Sequence, residues 1–141
     1  MSSVVVSVEN GIDPAAADIA RIERLATAVL SSERVTWSEV GIILAGHDRV
    51  RELNRMFLNH DIDTDVLSFL VDETDAGLEG EVYVDVETAA ERHEEFGATL
   101  QEEIERYVIH GLLHLAGYDD DTPEGKARMA ELETKYLGET P

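Results

Sequence analysis

Apolar residues change period several times along this chain, and each change marks an element. Val4 to Val8 is a short β-branched run and reads as a strand. Asp13-Pro14 then supplies an N-cap followed by proline in the first helical turn. Ile19, Ile22, Leu25 and Val29 recur at helical spacing, which predicts an amphipathic helix over residues 14–31. Residues 35–45 contain Val40, Ile42 and Leu44 and end at Gly46, giving a second strand. Asp48 is placed to cap the next helix, whose apolar stripe is Val50, Leu53 and Phe57.

Val66 to Leu70 reads as a third strand, and the polar, glycine-containing segment VDETDAGLEG as a loop. Valine alternates with other residues over Glu81 to Val86, the fourth strand. Residues 86–96 look helical and stop at Gly97. Thr99 and Glu102 form a capping box for the following helix. Its core face is Leu100, Ile104, Tyr107 or Val108, then Gly111, Leu112 and Leu115. Thr122-Pro123 opens the last helix, with Met129, Leu132 and Tyr136 as its stripe and Gly138 at its end.

The order β-α-β-α-β-β-α-α-α predicts an α+β fold: a small mixed four-stranded sheet packed with about five helices. A chain of 141 residues that is 43% hydrophobic is expected to form one domain over residues 1–141, with a real core. The N-terminal MSSVVVSVENG lacks a basic region and a long apolar run, so it is not read as a signal peptide. No segment approaches the ~18 apolar residues of a membrane span. The expectation is a soluble, cytoplasmic protein with no membrane partner.

Charge changes the picture. There are 31 acids against 11 bases, a formal net charge of −20, and only Lys126 and Lys135 are lysines. The acids are spread along the chain rather than massed in one tail, which favours adaptation to a saline cytoplasm over a protein shaped to avoid polyanions. The same balance argues against a binder driven by basic patches on polyanions. Cysteine is absent, which excludes disulfides, thiolate metal sites and thiol catalysis. A metal would have to be held by imidazole and carboxylate.

The segment His110-Gly-Leu-Leu-His114-Leu-Ala-Gly117-Tyr118-Asp119-Asp120 carries the chemistry. Histidines four apart on a helix share one face, with Cβ atoms about 6 Å apart, near enough to share an ion. Gly117 allows the chain to turn back, and three residues later Asp120 can reach the same point. Two imidazoles and a carboxylate suit one zinc ion and leave a position open for water. Asp119 and Asp121 are rival third ligands, and spacing favours Asp120. The arrangement parallels the long zinc-protease motif, which gives the helix a zincin-like character. Those proteases carry a glutamate immediately after the first histidine as general base; here the position is Gly111, which disfavours peptide cleavage.

Residues 110–119 match the pattern H-G-x-L-H-L-x-G-Y-D, and Leu53-Asn54-Arg55, Thr64-Asp65-Val66-Leu67-Ser68-Phe69 and Gly80-Glu81-Val82 lie upstream of it. In these motifs, their order and their spacing, the chain resembles the YbeY family of bacterial metal-dependent endoribonucleases. The resemblance covers roughly residues 35–137. It implies the family's α+β fold, one zinc ion and cleavage of single-stranded RNA in late 16S ribosomal RNA maturation and ribosome quality control. RNA, the ribosome or a ribosomal protein would be the partner, and no DNA is expected.

The chain departs from the family twice. The third family ligand is a histidine, where this chain has Asp120. The family arginine implicated in cleavage aligns with Leu58, and a nearby family lysine with His60. His60 or Arg55 then becomes the candidate catalytic cation or proton donor; an exposed loop histidine and a salt-bridged helix arginine are the plain alternatives. Ser68 is a candidate for holding substrate, or simply part of the core. Besides the enzyme, a non-cleaving ribosome-maturation factor that binds ribosomal RNA or a ribosomal protein fits Leu58 and the acidic charge.

Overall fold

The computed structural model describes residues 2–58 and 65–139. Its four strands, β1 (Ser3–Val8), β2 (Trp37–Ala45), β3 (Val66–Thr74) and β4 (Gly77–Asp85), form one sheet in the order β1-β2-β4-β3. β1 and β2 are parallel, β2 and β4 are parallel, and β3 runs antiparallel to β4 at the edge. The expected mixed α+β sheet is therefore present. Because side chains alternate across a strand, Val82 and Val84 enter the main core while Tyr83 joins a smaller cluster with Ala45, Val50, Leu53 and Leu67.

The main core lies where α1 (Ile19–Ser32), α4 (Leu100–Leu115) and α5 (Pro123–Glu139) pack together, with α4 against β3 and β4. α4 is buried on nearly all sides: Ile104, Val108, Ile109, Leu112 and Leu113 have no exposed surface. A helix buried on most of its faces belongs at the centre of a fold, and here the buried set includes Glu103 and Glu105. Its capping box is formed, Glu102 N donating to Thr99 Oγ1 at 3.1 Å and Thr99 N to Glu102 Oε1 at 2.9 Å. The expected α5 stripe, Met129, Leu132 and Tyr136, is 1–3% exposed.

Several boundaries differ from the sequence expectation. The helix expected over 14–31 is split: Pro14–Ala16 forms one 3₁₀ turn, Ala17 is extended, and Asp18 caps α1 by accepting from Arg21 N at 3.1 Å. Two aspartates each start a helix, and the second wins because the apolar stripe begins after it. The strand expected from residue 35 begins at Trp37. Helix α2 (His47–Leu58) starts one residue before Asp48, which lies in its first turn rather than capping it, and Phe57 is 63% exposed while Val50 and Leu53 are buried.

The expected loop VDETDAGLEG is instead a hairpin, with β3 running to Thr74 and β4 starting at Gly77 around Asp75-Ala76. Backbone pairing carries it, while the outer half of β3 keeps its side chains in solvent and shows no apolar period. Gly77 has φ +115 and lies against the Thr36–Trp37 backbone, leaving no room for a Cβ. The segment after β4 divides into α3 (Val86–Arg92) and a 3₁₀ turn at His93–Phe96, ending at Gly97 with φ +65 as expected. Gly138 does not end α5. No helix among the described residues is long and apolar enough to cross a membrane.

Candidate metal centre

His110 and His114 stand on the last turns of α4, and their Nε2 atoms are 3.1 Å apart. The helix then closes tightly: Gly117 N donates to the His114 carbonyl and Tyr118 N to that of Leu113, with Gly117 at φ +106. This left-handed residue reverses the chain. Asp120 Oδ2 arrives 3.3 Å from His110 Nε2 and 3.7 Å from His114 Nε2. Potential ligand atoms of the three residues lie within 4.8 Å of one another. Asp119 is occupied otherwise, its Oδ1 accepting from Asp120 N at 3.0 Å.

The other ring nitrogens are held in place. His114 Nδ1 faces the Tyr118 carbonyl at 3.1 Å, and His110 Nδ1 faces Glu133 Oε2 at 3.2 Å. A carbonyl only accepts, so His114 carries its proton on Nδ1; the Glu133 carboxylate selects the same tautomer for His110. Both Nε2 lone pairs then converge with a carboxylate oxygen. Three acceptors this close repel one another unless a cation lies among them, so the donor set fits a metal ion. Burial lowers the His110 pKa, but the hydrogen bond and charge of Glu133, with Asp120 and Asp65, outweigh it and raise it above the ordinary histidine value. A proton is thus the metal's competitor at this site.

The position following His110 is closed to any side chain. A Cβ on Gly111 would overlap Val82 and lie 3.1 Å from both Ser68 Oγ and Val66 Cγ2. Ser68 Oγ donates to the Gly111 carbonyl at 2.7 Å, so its hydroxyl pins α4 to β3. Gly80 allows the same close approach beside Leu115.

Arg55 is exposed in the last turn of α2. Arg49 on the same helix pairs with Glu52 at 2.9 Å and Glu9 at 3.5 Å. His60 lies outside the described residues. Sequence reasoning did not single out Glu133, whose only signal was one more acid on α5. It also missed Gly125: a Cβ there would overlap the Asp119 carbonyl oxygen. The third omission is Glu33, which receives hydrogen bonds from the hydroxyls of both Tyr118 and Tyr136 and ties the turn after α4 to α1 and α5.

The chain is an α+β domain that gathers two imidazoles and a carboxylate at the end of a buried helix, a group that could hold a metal ion. The sequence model of the family described as Endoribonuclease YbeY matches residues 7–140. An Endoribonuclease YbeY of Salinibacter ruber is 50% identical over 117 residues, 77% of this chain and 74% of that protein. Another, of Chlorobium phaeovibrioides, is 38% identical over 120 residues, 84% of this chain and 79% of that protein. The solution structure of TM1509 from Thermotoga maritima superposes with a TM-score of 0.64 at 31% identity, covering 99% of this chain and 89% of that one. The chain belongs to the YbeY endoribonuclease family.

Proposed function

We propose that this protein is a zinc-dependent endoribonuclease that cleaves single-stranded RNA, acting in the cytoplasm in late ribosomal RNA maturation and ribosome quality control. The observation that carries the reading is the convergence of His110 Nε2, His114 Nε2 and Asp120 Oδ2, with both Nδ1 atoms tied to acceptors, in a chain of an endoribonuclease family. These three residues would hold the ion. When bound, zinc supplies a Lewis acid that acidifies water towards pH 7 and draws charge from a phosphoryl oxygen.

The chain's own residues do the rest. Glu133 and the Tyr118 carbonyl fix the tautomers, so in the neutral rings both Nε2 lone pairs face the same point. Asp120, in place of a neutral third imidazole, makes the centre less positive and the water somewhat less acidic. A rate-against-pH profile with its rise shifted upward relative to Asp120→His checks this. Gly111 leaves no base beside His110, in keeping with a phosphodiester rather than a peptide substrate. His60 and Arg55 are the sequence candidates to replace the missing family cation at Leu58.

The test is cleavage of single-stranded RNA in high salt by wild type and His114→Ala. Activity only in wild type supports the reading, and equal activity in both overturns it. Leu58 favours one other reading, a ribosome-maturation factor that binds ribosomal RNA or a ribosomal protein without cutting. Retained growth complementation by His114→Ala would select it.

A further inference from the structure

A cavity of about 440 Å³ adjoins the three-residue group, and His110 lines both. This is a volume typical of small-ligand sites. Glu103 also lines it; that residue is 2% exposed and its Oε2 has no hydrogen-bond partner among the described residues. A buried carboxylate oxygen left unpaired is a standing penalty unless a donor comes to it.

Beside the acids Asp65 and Glu133, the same wall carries Arg92, Phe96 and Arg106, which together suit one kind of donor. Phe96 is 62% exposed, and the Arg92 guanidinium carbon lies 5.6 Å from its ring centroid. An exposed aromatic ring with a cation beside it is a platform on which nucleobases stack irrespective of sequence. Arg106 lies 3.8 Å from both Glu103 and Glu133, beyond hydrogen-bond length, so its fork can turn to a backbone phosphate. Stacking surface, unpaired acceptor and phosphate-directed cation thus line one cavity beside the candidate metal centre.

We propose that this cavity receives the base of a nucleotide next to the scissile phosphate, and that Glu103 Oε2 accepts a hydrogen bond from its exocyclic amine. Adenine, cytosine and guanine carry such an amine; uracil has a carbonyl where cytosine has its amine, which a carboxylate rejects, and keeps only its ring N3–H as a base donor. The inference rests on the RNA-cleavage reading and gives it a base preference.

The test compares kcat/KM of the zinc-loaded full chain, in high salt, on short oligo(A), oligo(C) and oligo(U). Wild type should favour A and C over U by about tenfold, the discrimination of a single charged contact. Glu103→Gln, whose amide can accept or donate, should bring the three rates within about twofold of one another. Phe96→Ala should raise KM on all three alike. A measurement that needs no variant replaces adenine by purine, which lacks the amine, and should lower the wild-type rate about tenfold. Equal wild-type rates on A, C and U, or an undiminished rate on the purine oligomer, would overturn the base contact and leave RNA cleavage standing. Cleavage of none of the oligomers overturns both.

Discussion

Gly125 on α5 lies so close to the Asp119 carbonyl oxygen that a single added carbon would overlap it. The turn that delivers Asp120 is therefore seated on a bare stretch of α5, where Gly125 N also donates to Thr122 Oγ1 at 3.0 Å. Gly125→Ala should displace the Asp119–Asp120 segment and weaken zinc binding about tenfold, the lower range for losses around a metal site. Competition with a chelating dye reads the affinity. Far-ultraviolet circular dichroism should be unchanged.

Glu133 holds the His110 ring by its Nδ1. Removing such a partner ordinarily lowers metal affinity by about 10- to 100-fold. Glu133→Ala should fall in that range by calorimetric titration. An affinity within twofold of wild type would mean that the ring is oriented by packing alone.

Zinc that binds the folded chain alone stabilises it by mass action, by about 2.7 kcal/mol at a concentration 100 times the dissociation constant. Added zinc should raise the thermal midpoint of metal-free wild type, and a chelator should reverse the rise. His114→Ala should show neither response.

Burial is the chief cause that holds the Glu103 carboxyl above the usual glutamate range, against the lowering charge of Arg106. In an acid whose folded pKa is raised, the associated stability is present below the unfolded pKa, about 4.3, and lost as pH rises through the folded value. Glu103→Gln removes that loss. The variant should be more stable than wild type by about 1 kcal/mol at neutral pH, with the gain vanishing below about pH 4. Urea unfolding across that range checks the sign.

A formal charge of −20 on 141 residues repels itself in the folded state. Salt at molar concentration shortens the screening length to about 3 Å. The thermal midpoint should therefore rise steadily from low to molar sodium chloride. A flat or falling curve would contradict adaptation to a saline solvent.

What the sequence made legible follows one physical line. His110, His114, Gly117 and Asp120 are local to one helix and its turn, so spacing alone predicted their convergence. α4's cap and the α5 stripe were readable for the same reason. The outer half of β3 was not, because Asp72 and Glu73 project into solvent and only backbone pairing defines that strand. Glu133 was missed because its partner His110 lies 23 residues away on another helix. Gly125 was missed because what it makes room for is a carbonyl on a different segment. Leu58 ends α2, and the neighbouring His60 lies outside the described residues, so that candidate rests on the sequence.

Gly111 has a consequence for what this scaffold can become. Two of the four glycine codons lie one nucleotide from a glutamate codon, so mutation can offer the peptidase base at such a position. The space does not, since even a methyl group there would strike Val82 and press on Ser68. Acquiring that base would require the seam between helix and sheet to open first, with Val82 and Ser68 changing in the same lineage. Geometry therefore keeps two chemistries apart that the genetic code leaves adjacent.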